Sequence, residues 1–331
     1  MQKAVFAYGS MVRYISIIHL ENILNTIIYL PNAIRAALTS RLPVVALEST
    51  VISHGLPYPH NLDLARAMEG EVRDQHAQPA TVGVVAGVPT VGMSDADIER
   101  FAVAQGILKL SRRDIGYAVA LKRDGATTVA ATMALAALAG VQVFATGGIG
   151  GVHRGAHETW DISADLTELA RTPVLVVCAG AKAILDLPAT IEYLETAGVP
   201  VLGLGTDEFP AFYSASSGLP VARAETVAEA ANVWRAHRAL GGGGGMLLAV
   251  PPPAEVALPP AEVESAITRA LAKASAAGVR GQTVTPFLLA AMAEETHGES
   301  MRTNIALLRQ NARVAARVAC AIADLGCLTA F

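Results

Sequence analysis

The sequence contains few cysteines, few charged residues and no long uninterrupted apolar run. Its 331 residues include only Cys178, Cys320 and Cys327, and these do not have the spacing of metal ligands. A few cysteines, odd in number, are typical of proteins in a reducing compartment. We therefore expect free thiols and a cytoplasmic location, although each cysteine could equally serve as a small buried apolar residue.

Charge is also scarce. Charged residues make up 16% of the chain, the net charge is −4, and no basic cluster is present. Nucleic acid is excluded as an expected partner, because binding it needs a face that neutralises phosphates. A small anionic ligand needs only a local site and stays possible. The 52% hydrophobic content predicts extensive burial, either between subunits or within thick α/β layers.

No apolar run reaches the roughly 18 residues of a transmembrane helix, so no membrane association is predicted. Residues 1–30 hold apolar patches, but Arg13, His19 and Glu21 interrupt them. No small-residue cleavage site of the secretory type follows. We interpret residues 1–30 as an atypical N-terminal extension, or as a start codon assigned too far upstream, and predict a single α/β domain over residues 31–331.

Short apolar segments alternate with helical stretches through most of the chain. Continuously apolar strands are typical of a parallel sheet covered on both faces; here they are predicted at 42–47, 141–146, 173–178 and 199–206. After the proline-rich segment 251–260, only helices are predicted, at about 261–278, 286–297 and 299–325. The predicted fold class is α/β, with a mixed, mostly parallel central sheet flanked by helices and a helical C-terminal layer.

Two of these strands end in residues that could carry out chemistry. Ligands of open α/β sheets bind at the carboxyl ends of strands, and Glu48 and Lys182 follow the strands at 42–47 and 173–178. Burial would favour the neutral form of Glu48, which suits a general acid. Burial would also lower the pKa of Lys182 and free its amine to form an imine with a sugar aldehyde. Alternatively, Glu48 opens a loop and Lys182 extends to solvent.

Lys109 lies among apolar neighbours and could contact an anion while depressing the pKa of Lys182 further. It could also be a surface lysine at a strand edge. His54, in the segment after the first strand, could be only a polar loop residue.

The segment GGIGGVHRG follows the strand at 141–146. It does not match the dinucleotide fingerprint, because His153 occupies the place of the last glycine. Beyond it, Asp161 and Asp165 lie near a predicted helix start, where acidic residues commonly complement the helix dipole. They could instead hold a hard divalent cation together with water. Ser163 could present its hydroxyl and backbone amide to a phosphate there.

Several long motifs carry a family resemblance. ALESTVISHGLPYPHN, KLSRRD, GATTVAATM, VFATGGIGGVHRGAHETWDISADL, VCAGAKAILDLPATIEYLET and TPFLLAAMAEETHGESMRTNIALLRQNA follow one another between about residues 31 and 325. In these motifs the chain strongly resembles the pseudouridine-5′-phosphate glycosidases. The resemblance implies an enzyme that reversibly cleaves a C–C glycosidic bond to give uracil and ribose 5-phosphate. It also implies one divalent metal per subunit, usually Mn²⁺, and a homotrimer.

The resemblance also implies roles for individual residues. Glu48 would be the proton donor, Lys182 the imine-forming nucleophile and Asp161 the metal ligand. The substrate would be bound by a larger set of residues: Lys109, Val129, Ser163, Ala164, Asp165 and Asn304. The chain departs from the family pattern at His157, where an acidic residue is usual, and at the five glycines 241–245.

Three other functions fit parts of the sequence. An aldolase that forms a Schiff base with a phosphosugar would use the same lysine, but it would not release free uracil. A non-catalytic sugar-phosphate sensor would bind ligand without turnover. A purely structural oligomer would explain the apolar composition, but not the Glu, Lys and Asp residues that coincide at strand ends.

Overall fold

In the computed structural model, which describes residues 27–279 and 284–324, ten of the strands form one sheet. The strands in chain order are β1 (Val44–Leu47), β2 (Gln78–Val85), β3 (Val88–Val91), β4 (Leu108–Leu110), β5 (Gly125–Thr127), β6 (Val143–Ala145), β7 (Val152–His153), β8 (Leu175–Cys178), β9 (Leu185–Asp186), β10 (Val201–Leu204), β11 (Ala222–Ala224) and β12 (Met246–Ala249). Their order across the large sheet is β11-β10-β12-β8-β6-β1-β2-β5-β4, with β3 paired to β2. β7 and β9 form a separate antiparallel pair.

Most neighbouring strands of the large sheet are parallel, and the exceptions are β3 and β5, which both run antiparallel to β2. β1, β8 and β12 are buried along their whole length. This burial explains why they read as continuous apolar runs. The predicted fold class is confirmed.

Twelve α-helices cover the sheet and form its C-terminal layer. They are α1 (Asn32–Thr39), α2 (His60–Asp74), α3 (Asp95–Val103), α4 (Ile115–Ala120), α5 (Val129–Ala139), α6 (Ala156–Thr159), α7 (Ala164–Arg171), α8 (Leu187–Thr196), α9 (Val227–Ala239), α10 (Pro260–Ala276), α11 (Val284–Glu295) and α12 (Glu299–Asp324). A π-helical turn spans Val51–Gly55, and a 3₁₀ turn spans Arg112–Asp114. These counts refer to the described ranges alone.

The helix ends follow from local sequence. Thr128 caps α5 by accepting a hydrogen bond from the Ala131 amide, and Gly140 ends the same helix at φ 86°. That left-handed conformation favours glycine. Ser163 caps α7 by accepting a hydrogen bond from the Asp165 amide at 3.2 Å.

Helix α12 is fixed to α2 by a buried acidic residue. Glu71 accepts hydrogen bonds from Arg309 at 2.7 Å and from Arg313 at 2.8 Å. Burial acts to raise the pKa of Glu71, but these two guanidinium groups outweigh it and the pKa is lowered. These two ion pairs help to hold α12 against α2.

The proposed division at residue 30 stays a prediction, because residues 1–26 lie outside the described part of the chain. Ile28 is buried, and the Tyr29 amide donates to the Pro89 carbonyl at 2.8 Å. At least this end of the predicted extension contacts the domain.

Candidate active site

A cavity of about 460 Å³ opens where β1, β5, β6 and β8 end. Strand β2 continues beyond the end of β1, and β5 pairs with that continuation in the antiparallel direction. The last residue of β5, Thr127, therefore lies close to the end of β1. The buried Ser49 hydroxyl fixes this arrangement. It donates to the Val82 carbonyl at 2.6 Å and accepts from the Thr127 amide at 2.9 Å. Residues that are distant in sequence therefore face one space.

The cavity wall contains nearly all of the residues predicted for the site. Glu48, Lys109, Val129, Asp161, Ser163, Ala164, Asp165 and Lys182 line this space. Asn304 lines a smaller inner lobe of about 60 Å³, which shares Glu48, Lys109 and Lys182 with the larger cavity. The structure thus brings the predicted residues together, while the roles assigned to them stay proposals.

Glu48 lies at the junction of the two lobes, directly after β1. Burial raises the pKa of its carboxyl group, and the Lys182 ammonium and a hydrogen bond from the Thr146 hydroxyl offset that rise only in part. A carboxyl group with a raised pKa keeps its proton to higher pH and can donate it in a reaction. The expectation that burial favours the acid form of Glu48 is met.

Lys109 and Lys182 line the same space. Lys109 lies inside the short strand β4 rather than after a strand, and Lys182 follows β8. Both are partly buried. Burial and the Lys182 charge lower the pKa of Lys109, and the Glu48 and Asp165 carboxylates oppose that change. The Lys182 charge thus acts on Lys109, while the expected effect of Lys109 on Lys182 stays a prediction.

Asp165 ties two elements of the site together. It is 6% exposed and accepts hydrogen bonds from the Ala130 amide at 2.9 Å and the Gly150 amide at 2.8 Å. Gly150 is required here, because a Cβ atom would lie 2.8 Å from the Asp165 carboxylate and would overlap the Ser163 hydroxyl. The sequence also allowed these two aspartates simply to complement the dipole of α7. Asp165 lies in the first turn of that helix and Asp161 precedes it, so this alternative applies to Asp165 alone.

Two helix N-termini point into the cavity. Thr128 and Val129 begin α5, and Ser163 and Ala164 begin α7. Backbone amides at a helix start carry partial positive charge and bind anions. Arg171 also lines the cavity, and the buried carboxylate of Glu168 fixes its guanidinium group at 2.7 Å. This end of the cavity is suited to a phosphate.

The inner lobe has a different character. The side chains of Phe212, Leu289 and Leu308 supply apolar walls, and the Asn304 amide supplies a polar group. Gly148 allows the Phe212 ring to approach, because a Cβ atom there would lie 2.6 Å from Phe212 Cδ2. A flat, polar-edged ring fits such a space better than a phosphate does.

The described residues offer a cation only a sparse set of ligands. No three His, Cys, Asp or Glu side chains gather as a metal cage within 27–279 and 284–324. The Asp161 carboxylate is 43% exposed and lines the cavity, with His153 Nδ1 at 3.8 Å from its Oδ2 atom. This arrangement fits a hard cation held by one carboxylate, water and substrate oxygens. It does not fit a closed structural metal site.

Sequence reasoning did not assign roles to several residues of the wall, among them Thr146, Arg171 and Thr50. Thr146 lies in the quoted motif VFATGG, but only the pairing of β1 with β6 shows that its hydroxyl meets Glu48. His157 is 80% exposed and is not part of the cavity wall.

Comparison with known proteins identifies the family. Residues 33–321 match the family model described as indigoidine synthase A like protein. A pseudouridine-5′-phosphate glycosidase of Roseiflexus sp. (strain RS-1) is 73% identical over 304 residues, which cover 88% of this chain and 94% of that protein. The chain belongs to the pseudouridine-5′-phosphate glycosidase family. A second glycosidase of that name, from Herpetosiphon aurantiacus, is 64% identical over 87% of this chain and 96% of its own length.

Two solved structures share the fold. The prealnumycin C-glycosynthase AlnA, solved in complex with ribulose 5-phosphate, is 42% identical and superposes with a TM-score of 0.85, covering 91% of this chain and 99% of that one. An indigoidine synthase A-like protein from Thermotoga maritima is 36% identical, with a TM-score of 0.80 over 85% of this chain and 93% of its own. The resemblance drawn from the motifs is confirmed, and with it the expectation of an enzyme of this family.

Proposed function

We propose that the protein reversibly cleaves pseudouridine 5′-phosphate to uracil and ribose 5-phosphate, through a Schiff base on Lys182 with Glu48 as general acid. The observation that carries this proposal is that Glu48 and Lys182 share one cavity whose two ends differ in chemistry. Relatives at 73% and 64% identity bear the name of this activity. The ribulose 5-phosphate bound by AlnA supports a pentose phosphate as the ligand class.

The two lobes give the substrate one orientation. The phosphate lies at the starts of α5 and α7, and Lys109 adds positive charge to the same cavity. The uracil ring lies in the inner lobe against Phe212 and Asn304. The ribose then spans the junction, so that its C1′ and ring oxygen face Lys182 and Glu48.

The leaving atom makes covalent catalysis useful. Ordinary glycosidases protonate a departing oxygen between two carboxyl groups, but here carbon C5 of uracil must leave. Glu48 donates a proton to the ribose ring oxygen while the nitrogen lone pair of the Lys182 amine bonds to C1′, which opens the ring. Glu48 then takes a proton from the new C1′–N ammonium. The nitrogen lone pair forms the iminium as the C1′–C5 bond breaks, and Glu48 protonates C5. Water hydrolyses the iminium to release ribose 5-phosphate.

A bound divalent cation, with Mn²⁺ the expected one, would supply local positive charge that orients ligand oxygens and water. Asp161 would hold it, and His153, whose pKa is lowered by burial, lies nearby. Loss of activity after chelation, restored by Mn²⁺, is the expected behaviour.

We also propose a homotrimer in the cytoplasm. Large apolar side chains on the outside of the chain support an assembly, notably Trp160 at 82% exposed and Leu240 at 89% exposed. Free Cys178 and Cys320 are compatible with a reducing compartment. No helix of residues 27–279 and 284–324 is long and apolar enough to cross a membrane. Sedimentation at micromolar concentration would test the trimer.

The test of the proposal is the release of uracil from pseudouridine 5′-phosphate, followed by absorbance and by chromatographic identification of both products. We expect turnover, together with the reverse synthesis from uracil and ribose 5-phosphate. Cleavage of phosphosugars without uracil release would favour the aldolase function. Tight binding with no turnover in the presence of Mn²⁺ would favour the sensor.

A further inference from the structure

Helix α12 contacts the segment that follows β6, in which the Thr146 hydroxyl donates to Glu48. Gly147 allows the helix to come close, because a Cβ atom there would lie 3.4 Å from Asn304 Oδ1. Asn304 and Asn311 are separated by about two helical turns, so they lie on one face of α12. Asn304 lines the inner lobe, whereas Asn311 lines neither lobe and has no task in the proposed reaction.

Asn311 is fully buried and donates hydrogen bonds to two backbone carbonyl groups of this segment. Its Nδ2 atom lies 2.8 Å from the Thr146 oxygen and 3.4 Å from the Gly147 oxygen. Both oxygens are acceptors, which fixes the side-chain amide with its NH₂ group toward the segment. The bond to the Thr146 carbonyl is the stronger of the two, because its length is that of an ordinary N–H···O bond.

The other end of the Asn311 amide is unfavourable for the fold. Asn311 Oδ1 is buried and makes no hydrogen bond within residues 27–279 and 284–324. A buried polar atom without a partner destabilises a protein, and an apolar side chain of similar size would avoid that loss. The compensating contacts of the amide are its two N–H bonds, and both go to the segment that carries Thr146.

Thr146 is held at three points. Its amide donates to the Val177 carbonyl of β8 at 3.0 Å, its carbonyl accepts from Asn311, and its hydroxyl donates to Glu48. The first two contacts fix the backbone from which the hydroxyl projects. A donor that is already fixed loses less conformational entropy when it forms a hydrogen bond, so the bond is stronger. The strength of the bond from Thr146 to Glu48 therefore depends on Asn311.

We propose that Asn311 is a positioning residue for the general acid, because it holds the backbone of Thr146 so that the Thr146 hydroxyl stays directed at Glu48. This inference rests on the proposed function and deepens it, since it names a residue that acts on the acid through another residue. Asn311 takes no part in the bonds that form and break.

The test is the pH dependence of kcat/KM for uracil release, with the melting temperature measured on each protein. Asn311→Leu removes the amide and keeps a buried side chain of similar size, and Asn311→Ala is a second, smaller replacement. Thr303→Val is the matched control. Thr303 is a fully buried polar residue of the same helix, and its hydroxyl donates to the Val256 carbonyl instead.

The sign of the expected shift follows from the groups that act on Glu48. Burial raises its pKa, Lys182 and Lys109 lower it, Asp165 raises it, and the hydrogen bond from Thr146 lowers it. The charged groups stay in place in every variant. Loss of the Asn311 contact weakens only the bond from Thr146, so the pKa of Glu48 should rise.

We expect the alkaline limb to move up by roughly half a pH unit in both Asn311 variants, less than in Thr146→Val, because the bond is weakened rather than removed. The double variant of Asn311→Leu and Thr146→Val should shift only as far as Thr146→Val alone, because Asn311 acts through that hydroxyl. Thr303→Val should lower the melting temperature and leave the limb in place.

A lower melting temperature with an unmoved limb in the Asn311 variants would overturn the inference, as would a shift that adds fully to that of Thr146→Val. If Thr146→Val moves the limb and the Asn311 variants do not, this inference alone fails. A wild-type protein that releases no uracil from pseudouridine 5′-phosphate contradicts the proposed function, and the inference with it.

Discussion

Replacing Thr146 by valine removes the hydroxyl that donates to Glu48 and keeps the shape of a side chain that is fully buried. That hydrogen bond favours the carboxylate and so lowers the pKa of Glu48, against the larger effect of burial. Its loss should therefore raise the pKa of Glu48 further. Because Glu48 acts as an acid, activity lost at high pH should then persist to higher pH.

The size of the shift follows from the strength of the bond. A hydrogen bond to a charged group contributes about 1.5–3 kcal/mol, and one pKa unit corresponds to about 1.4 kcal/mol. The Lys182 ammonium also favours the carboxylate and stays in place in the variant. We therefore expect a shift near the lower end of this range, about one pH unit.

The assay is the pH dependence of kcat/KM for uracil release. Thr146→Ser keeps the hydroxyl and serves as the control, and the phosphate of the substrate titrates identically in all three proteins. The expected result is an alkaline limb about one unit higher in Thr146→Val and unchanged in Thr146→Ser. If the alkaline limb of Thr146→Val stays in place or moves to lower pH, then Glu48 is not the acid whose pKa the Thr146 hydrogen bond lowers.

Three further substitutions test other parts of the structure. Gly150→Ala places a methyl group against the Ser163 hydroxyl, so kcat/KM should fall at least roughly ten-fold and the melting temperature should drop. Arg171→Met removes a cation from the cavity wall, so KM for pseudouridine 5′-phosphate should rise roughly ten-fold while kcat changes little. Glu71→Gln should lower the free energy of unfolding by about 1–2 kcal/mol at pH 7, measured by urea denaturation. The lowered pKa of Glu71 means that its contribution is present above about pH 4.5 and is lost as the pH falls further.

Each of these predictions has a contradicting outcome. Gly70→Ala is the control for Gly150, because nothing lies within 4 Å of the added methyl group; equal behaviour of the two variants would refute the steric argument. An Arg171→Met enzyme that loses kcat instead of affinity would place Arg171 in the reaction. A Glu71→Gln defect that grows as the pH falls below 4.5 would have the wrong sign.

The sequence predicted the large sheet well, because its central strands are buried on both faces and read as unbroken apolar runs. It did not predict the edge strand β11 or helix α9, where apolar residues are sparse and no periodicity stands out. The three-residue strands β4 and β5 were missed for a related reason. A strand of that length has too few residues to show alternation, and its pairing decides its structure.

The site was predicted residue by residue through motifs and strand ends, which is why Glu48 and Lys182 were found. The contacts between them depend on which strands are neighbours. Only the pairing of β1 with β6 brings Thr146 to Glu48, and only the end of β5 beside β1 brings Val129 across from it. The hydrogen bond from Asn311 to the Thr146 carbonyl has no sequence signal either, because it forms only where α12 packs against the segment after β6.

The central claim is that the Lys182 amine bonds to C1′ of the opened ribose. Borohydride reduction in the presence of ribose 5-phosphate, followed by peptide mass spectrometry, measures this directly. The account predicts one covalent pentose-phosphate adduct, located on Lys182 and absent from Lys182→Ala, which should also lose turnover. An adduct on another lysine, or near-normal uracil release by Lys182→Ala, would contradict it.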